Sequence, residues 1–198
     1  MESNSETPGR KLPPTMRSQN EGRRSEKDFQ KPKVNEMKDI ARAFIHGLDS
    51  SSRGTKGSYF RARYPGMFME DYSGPLDERM SQLEKGLSGT GNLILVGSSY
   101  GGLMAAIFAC ENETRVRRLI LLAPALGHAD FTTCSRLPLQ IPVTLYHGRF
   151  DVVVPPEPTR RIAAHLFGNL DHHLVEDDHD LHRIFPTLDW DALLEIQG

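Results

Sequence analysis

Short apolar runs alternate with helix-length segments from residue 39 to the end, and few chain organisations satisfy that pattern. The runs are IARAFIH (40–46), MFMED (67–71), LILVG (93–97), RLILLA (118–123), PVTLYHG (142–148) and HHLVE (172–176). Most are nearly continuous in apolar character, as strands buried on both faces should be. Between them lie TKGSYFRARY, PLDERMSQLEKGL, YGGLMAAIFACENE, PPEPTRRIAAHLFGN and DLHRIFPTLDWDALLEI, each long enough for a helix. In PLDERMSQLEKGL, Pro75 takes a first-turn position, Asp77 and Glu78 sit at the positive end of the dipole, and Leu76, Met80, Leu83 and Leu87 line one face. Such alternation predicts parallel strands joined by right-handed helical crossovers. The expected fold class is α/β, a three-layer domain with a mostly parallel sheet of about six strands.

A chain of 198 residues supports one such domain and is short for two. Residues 1–38 are rich in charge, proline, serine and asparagine and hold only scattered apolar residues, too little burial to offset their ordering entropy. They are expected to form a disordered polar leader, with the folded domain spanning residues 39–198 and the functional unit starting near Met37. The leader carries nine Lys or Arg against six Asp or Glu, so the remainder is acidic, and the whole chain has a formal charge of -2. That balance gives no purchase to a polyanion, and no nucleic-acid partner is expected. Cys110 and Cys134 are the only cysteines, the first inside an expected helix; this supports neither a disulfide framework nor a cysteine zinc site and fits a reducing, cytoplasmic setting. No apolar run approaches the roughly 20 residues of a spanning helix or has the form of a signal peptide, so no membrane span is expected.

Chemistry concentrates at LILVGSSYGGLMAAIFAC (93–110). Gly97-Ser98-Ser99-Tyr100-Gly101 matches G-x-S-x-G with Ser99 at its centre, entered by a strand and left by a helix. A tight turn of this kind leaves room only for small residues on either side, which explains Gly97 and Gly101, while Gly102 lets helix and strand pack closely. A serine at a helix N-terminus also sits where the dipole and free amides favour developing negative charge. Ser98 then reads as small filler. A serine hydroxyl needs a base oriented by an acid, and in this arrangement the acid and then the histidine follow on loops after later strands. Asp151, in LYHGRFDVVVP, fills the acid position. EDDHDLH offers His179 and His182; His179 lies nearer the strand end and is preferred, with His182 expected a turn into the last helix. His172 and His173 lie within a strand and read as structural. His172, His173, Glu176 and His179 do not make a metal site, because neighbouring strand residues point to opposite faces. The oxyanion donors expected are the amide of Tyr100 and one from Leu48 or Asp49 in FIHGLDSSS, with Gly47 allowing the turn near the serine and His46 a buried strand-end residue.

FIHGLDSS, LVGSSYGG, LYHGRFDVVVP and EDDHDLH, in this order, resemble the α/β-hydrolase superfamily over nearly all of residues 39–198, and within it the chain is similar to small, lidless bacterial serine hydrolases of the YqiA esterase type. The resemblance implies Ser99, Asp151 and His179 as a catalytic triad and Leu48 with Tyr100 as the oxyanion hole. It further implies a carboxylesterase acting through an acyl-enzyme on a small-molecule ester or thioester, with no metal or organic cofactor. The chain departs from the usual pattern in having no room for the first two strands, and the short stretch between Pro124 and Ile141 has no room for a cap domain. Thioesterase or acyltransferase activity through the same triad, amidase or peptidase activity, and a non-catalytic binding module on the same fold remain open at this level. So do the oligomeric state and two local roles. Residues 131–139 either border an acyl pocket or pack on the core, and the polar run 49–56 either meets a charged leaving group or is solvated.

Overall fold

The computed structural model describes residues 39–129 and 137–196. The leader 1–38, Cys134 and most of the 131–139 segment lie outside the described residues. Five strands form one sheet: β1 (Ala41–Ile45), β2 (Leu93–Ser98), β3 (Val116–Leu122), β4 (Leu139–Gly148) and β5 (Phe167–Val175). Their spatial order is their order in sequence, and all four pairings are parallel. The helices α1 (Thr55–Arg63), α2 (Leu76–Gly86), α3 (Tyr100–Glu111) and α4 (Pro156–Leu166) provide the crossovers or lie within them.

Strand alternation divides the core into two layers. Ala43, Ile45, Leu93, Leu95, Leu119, Leu121, Val143 and Leu145 face Leu83 of α2, most of α3, and Ala163 and Leu166 of α4. Phe44, Ile94, Val96, Ile120 and Leu122 face the other way, onto Phe60 of α1 and onto Phe185, Trp190 and Leu194 near the C-terminus. Ten of the twelve residues of α3 are buried, so this helix is apolar all round rather than striped. Each large apolar side chain taken fully out of water contributes about 1.5–3 kcal/mol, which makes Phe60 and Trp190, 4.7 Å apart edge to face, the main anchor of the thinner layer.

Three expectations are corrected. The run 67–71 does not form a sixth strand but a single bridge of Phe68 to Ala43 on the outer edge of β1, held by two backbone hydrogen bonds of 2.9 and 2.8 Å. The final segment is not one helix. Leu181 has φ +56°, Pro186 lies in a 3-10 turn (Phe185–Thr187), and only α5 (Trp190–Leu193) is α-helical, capped by the Asp189 side chain. Cys110 does not carry a free thiol, so the cysteine pattern no longer argues for a reducing compartment. Among the described residues no helix is long and apolar enough to cross a membrane, and no cluster of His, Cys, Asp and Glu could hold a metal ion.

Candidate active site

β2 is buried along its whole length and delivers the chain to Ser99, which has φ +54° and ψ −118° and directly precedes α3. That backbone is costly for a residue with a Cβ, of order 1–3 kcal/mol, and persists because the surroundings hold it. Ser99 N–H donates to Leu122 O at 2.9 Å, and its carbonyl accepts from Gly102, Leu103 and Ala125 at 2.9–3.2 Å. Gly101 is required by close approach: a Cβ there would lie 2.1 Å from Ile45 O and 2.4 Å from His46 O, so any side chain would push α3 off the end of β1.

The imidazole of His179 meets this serine. Its Nε2 accepts from Ser99 Oγ at 3.0 Å, and its Nδ1–H donates to Asp151 Oδ2 at 2.7 Å. The Asp151 side chain is fully buried, that of His179 only 17% exposed. Both reach the serine because the loops after β4 and β5 are stitched together, Arg149 N–H donating to Val175 O and Phe150 N–H to Asp177 O. Gly148 permits this contact, since a Cβ there would sit 2.2 Å from Asp178 O. The buried Asp177 then shapes the histidine loop. Its carboxylate accepts from the backbone amides of Asp178, Arg183 and Ile184. His182 is exposed and turned onto Asp178 Oδ2 at 3.2 Å, away from the serine.

Gly47 abuts Ser99, its Cβ direction 3.3 Å from Ser99 Cβ and 3.8 Å from Ser99 Oγ. The Gly47-Leu48 turn and Tyr100, the first residue of α3, therefore flank Ser99 on two sides. Leu48 exposes its side chain and Tyr100 buries its own. His46, itself buried, holds that turn: its Nδ1–H donates to Gly47 O at 2.7 Å and its Nε2 accepts from Tyr72 N–H at 3.2 Å. A cavity of about 340 Å³ opens onto the serine, lined by Leu48, Asp49, Lys56, Val153, His179 and Asp180 among others, a size suited to a small ligand. Burial pushes the Lys56 ammonium below its ordinary value, opposed by Asp180, whose carboxylate lies 3.8 Å away. The polar run 49–56 thus contributes to the cavity wall rather than being wholly solvated.

Two residues with evident structural roles here were not singled out from sequence. Asp177 is one. His147, at the end of β4, is the other: its Nε2 lies 3.1 Å from Asp151 Oδ2 and 2.9 Å from Val154 O. The only signal for it was the repetition of a His-Gly pair at the ends of two strands, 46–47 and 147–148.

A family model described as alpha/beta hydrolase fold matches residues 46–137. Among solved structures, the mouse alpha/beta hydrolase domain-containing protein 10 is similar at 22% identity and a TM-score of 0.62, over 79% of this chain and 90% of that one. Est1E from Butyrivibrio proteoclasticus, solved with ferulic acid bound, is similar at 18% identity and a TM-score of 0.57, over 83% and 90%. A monoacylglycerol lipase from Paleococcus ferrophilus is similar at 16% identity and a TM-score of 0.56, over 78% and 93%. No curated protein matches the sequence. These likenesses show that the chain has an α/β-hydrolase-like fold.

Proposed function

We propose that this protein is a serine hydrolase that cleaves carboxyl esters through an acyl-enzyme. The observation that carries the proposal is the continuous hydrogen-bonded line from Ser99 Oγ through His179 to Asp151 Oδ2, at 3.0 and 2.7 Å. In this reading Ser99 Oγ attacks the acyl carbon while its proton passes to His179 Nε2, and the carbonyl oxygen becomes an oxyanion held by the amides of Leu48 and Tyr100. Asp151 keeps Nδ1 protonated and stabilises the imidazolium. Nε2–H then protonates the departing alkoxide as the ester C–O bond breaks. Water, losing its proton to Nε2, attacks the acyl carbon; collapse of that adduct returns the proton to Ser99 Oγ and frees the carboxylic acid.

Ester chemistry is favoured over amide chemistry because one structural neighbour is named a monoacylglycerol lipase. The functional unit is proposed to start near Met37, with residues 1–36 dispensable. A fluorophosphonate probe should label Ser99 and no other serine, and Ser99→Ala should abolish labelling and lower hydrolysis of p-nitrophenyl esters by at least about 1,000-fold. Comparison with acyl-CoA thioesters on the same enzyme separates esterase from thioesterase. Failure of the probe to react with the wild-type chain would refute the hydrolase reading. Removal of residues 1–36 should leave the labelling rate unchanged.

A further inference from the structure

His147 is fully buried, and the position of its ring proton is determined by its neighbours. The carbonyl of Val154 can only accept, so at 2.9 Å it requires the hydrogen on Nε2, and that same N–H reaches Asp151 Oδ2 at 3.1 Å. Nδ1 is then a bare acceptor, and it has no partner among the described residues. A buried acceptor left unsatisfied is destabilising. An apolar residue at the end of β4 would avoid that penalty, so the imidazole is retained for what its other nitrogen does.

Asp151 accepts four hydrogen bonds in a site closed to solvent. Oδ1 takes the backbone amides of Val153 and Val154 at 2.9 and 2.8 Å, and Oδ2 takes His179 Nδ1–H and His147 Nε2–H. The two amides hold Oδ1, and the His147 N–H holds Oδ2 itself. Rotation about the Cβ–Cγ bond moves both oxygens together, so the three donors oppose it jointly and keep Oδ2 in line with His179. By tying Val154 O as well, the same N–H closes the turn that carries the acid. A protonated ring here would compete with the imidazolium of His179 for one carboxylate. Burial holds the His147 pKa below its ordinary value, and His179 pushes it the same way, while the Val154 carbonyl and Asp151 oppose the shift.

We propose that His147 is a positioning residue of the site, a neutral Nε2–H imidazole that locks Asp151 Oδ2 in line with His179. This deepens the hydrolase reading and rests on it. It is tested on the full-length protein in two ways whose failures are distinguishable. Nitrogen NMR of histidine-labelled wild type at neutral pH should show His147 as the Nε2–H tautomer. The Nδ1–H tautomer or a cationic ring overturns the proposal whether or not the protein has any activity. Second, His147→Leu should slow fluorophosphonate labelling of Ser99 by about 10- to 100-fold and displace the downfield proton resonance of the His179–Asp151 hydrogen bond. His147→Gln, which can place an N–H near the position of Nε2, should restore most of that rate. A folded His147→Leu protein that labels at the wild-type rate with an unmoved resonance refutes the role. Should His147→Leu fail to fold, the tautomer and the rate of His147→Gln decide: a rate within a few-fold of wild type supports the proposal, and a loss as deep as that of Asp151→Ala refutes it.

Discussion

Two strands of this sheet end in the same dipeptide, and the two ends are wired oppositely. After β1, His46 donates from Nδ1 to Gly47 O and accepts at Nε2 from Tyr72, so both ring nitrogens are used and the ring is a complete structural staple. At the end of β4, His147 donates from Nε2 to Asp151 and Val154 and leaves Nδ1 unpaired. The first histidine holds a turn beside Ser99, and both of its ring nitrogens are satisfied. The second holds Asp151 and carries a local defect. In a close-packed interior a defect of that kind survives where an arrangement matters more than the energy it loses, which is the expectation for residues shaping a reactive site.

The glycines that follow these histidines give the sharpest way to break the comparison. A Cβ on Gly148 would lie 2.2 and 2.5 Å from the carbonyl oxygens of Asp178 and Asp177, both backbone atoms at the base of the His179 loop. Gly148→Ala should therefore displace that loop, lowering stability by about 2–3 kcal/mol and Tm by roughly 5–10 °C, with activity falling by about 100-fold as His179 leaves the serine. A Cβ on Gly47 would meet Ser99 Cβ at 3.3 Å and Ser98 O at 3.4 Å, contacts a small adjustment relieves. Gly47→Ala should cost under about 1 kcal/mol. Thermal melting of the two variants side by side checks the order, and equal losses would show that the two strand ends are equally tolerant.

The same contrast shows what a sequence conveys and what it withholds. The serine turn was legible because its constraint is local: an apolar strand, small residues and an apolar helix within eighteen positions leave few alternatives. Asp151 and His179 were legible through chain order and their place just past apolar runs. His147 was not, because its role depends on a turn that brings residues four and seven positions downstream back onto its Nε2, and a His at a strand end looks the same whichever nitrogen donates. Asp177 was hidden for a related reason, since accepting three backbone amides is a property of the loop path and not of the residue type. The run 67–71 has strand composition but only one bridge to β1, because strand formation depends on a partner and not on composition alone. The last segment has helix-length amphipathicity, yet Pro186 and the left-handed Leu181 divide it, and tertiary packing of Phe185 and Trp190 onto Phe60 wins over helical continuity.

The smallest expected effect is on the pH dependence of stability, and it arises at the β4 end. Burial is the main cause that lowers the His147 pKa; the groups facing it are Asp151 and the Val154 carbonyl, which raise it, and His179, which lowers it further. His172, on the adjacent strand with its Nε2 also unpaired, is likewise held below its ordinary value, first by burial and then by His147, Arg160 and His173, against a weaker opposing pull from Glu157. For each ring the unfolded chain takes up a proton near pH 6.5 while the folded chain does not. The stability is thus fully present above about pH 6.5 and is lost as the pH falls toward the folded-state pKa. Urea unfolding at pH 7.5 and 5.5 should give a lower midpoint at the acid pH, and His147→Leu should narrow that gap by removing one of the two rings. Groups remote from the β4 end are common to both proteins and cancel from the difference. An unchanged gap would mean that the buried ring takes up its proton in the folded protein as readily as in the unfolded chain, and the neutral donor assigned to Asp151 would then fail on thermodynamic grounds alone.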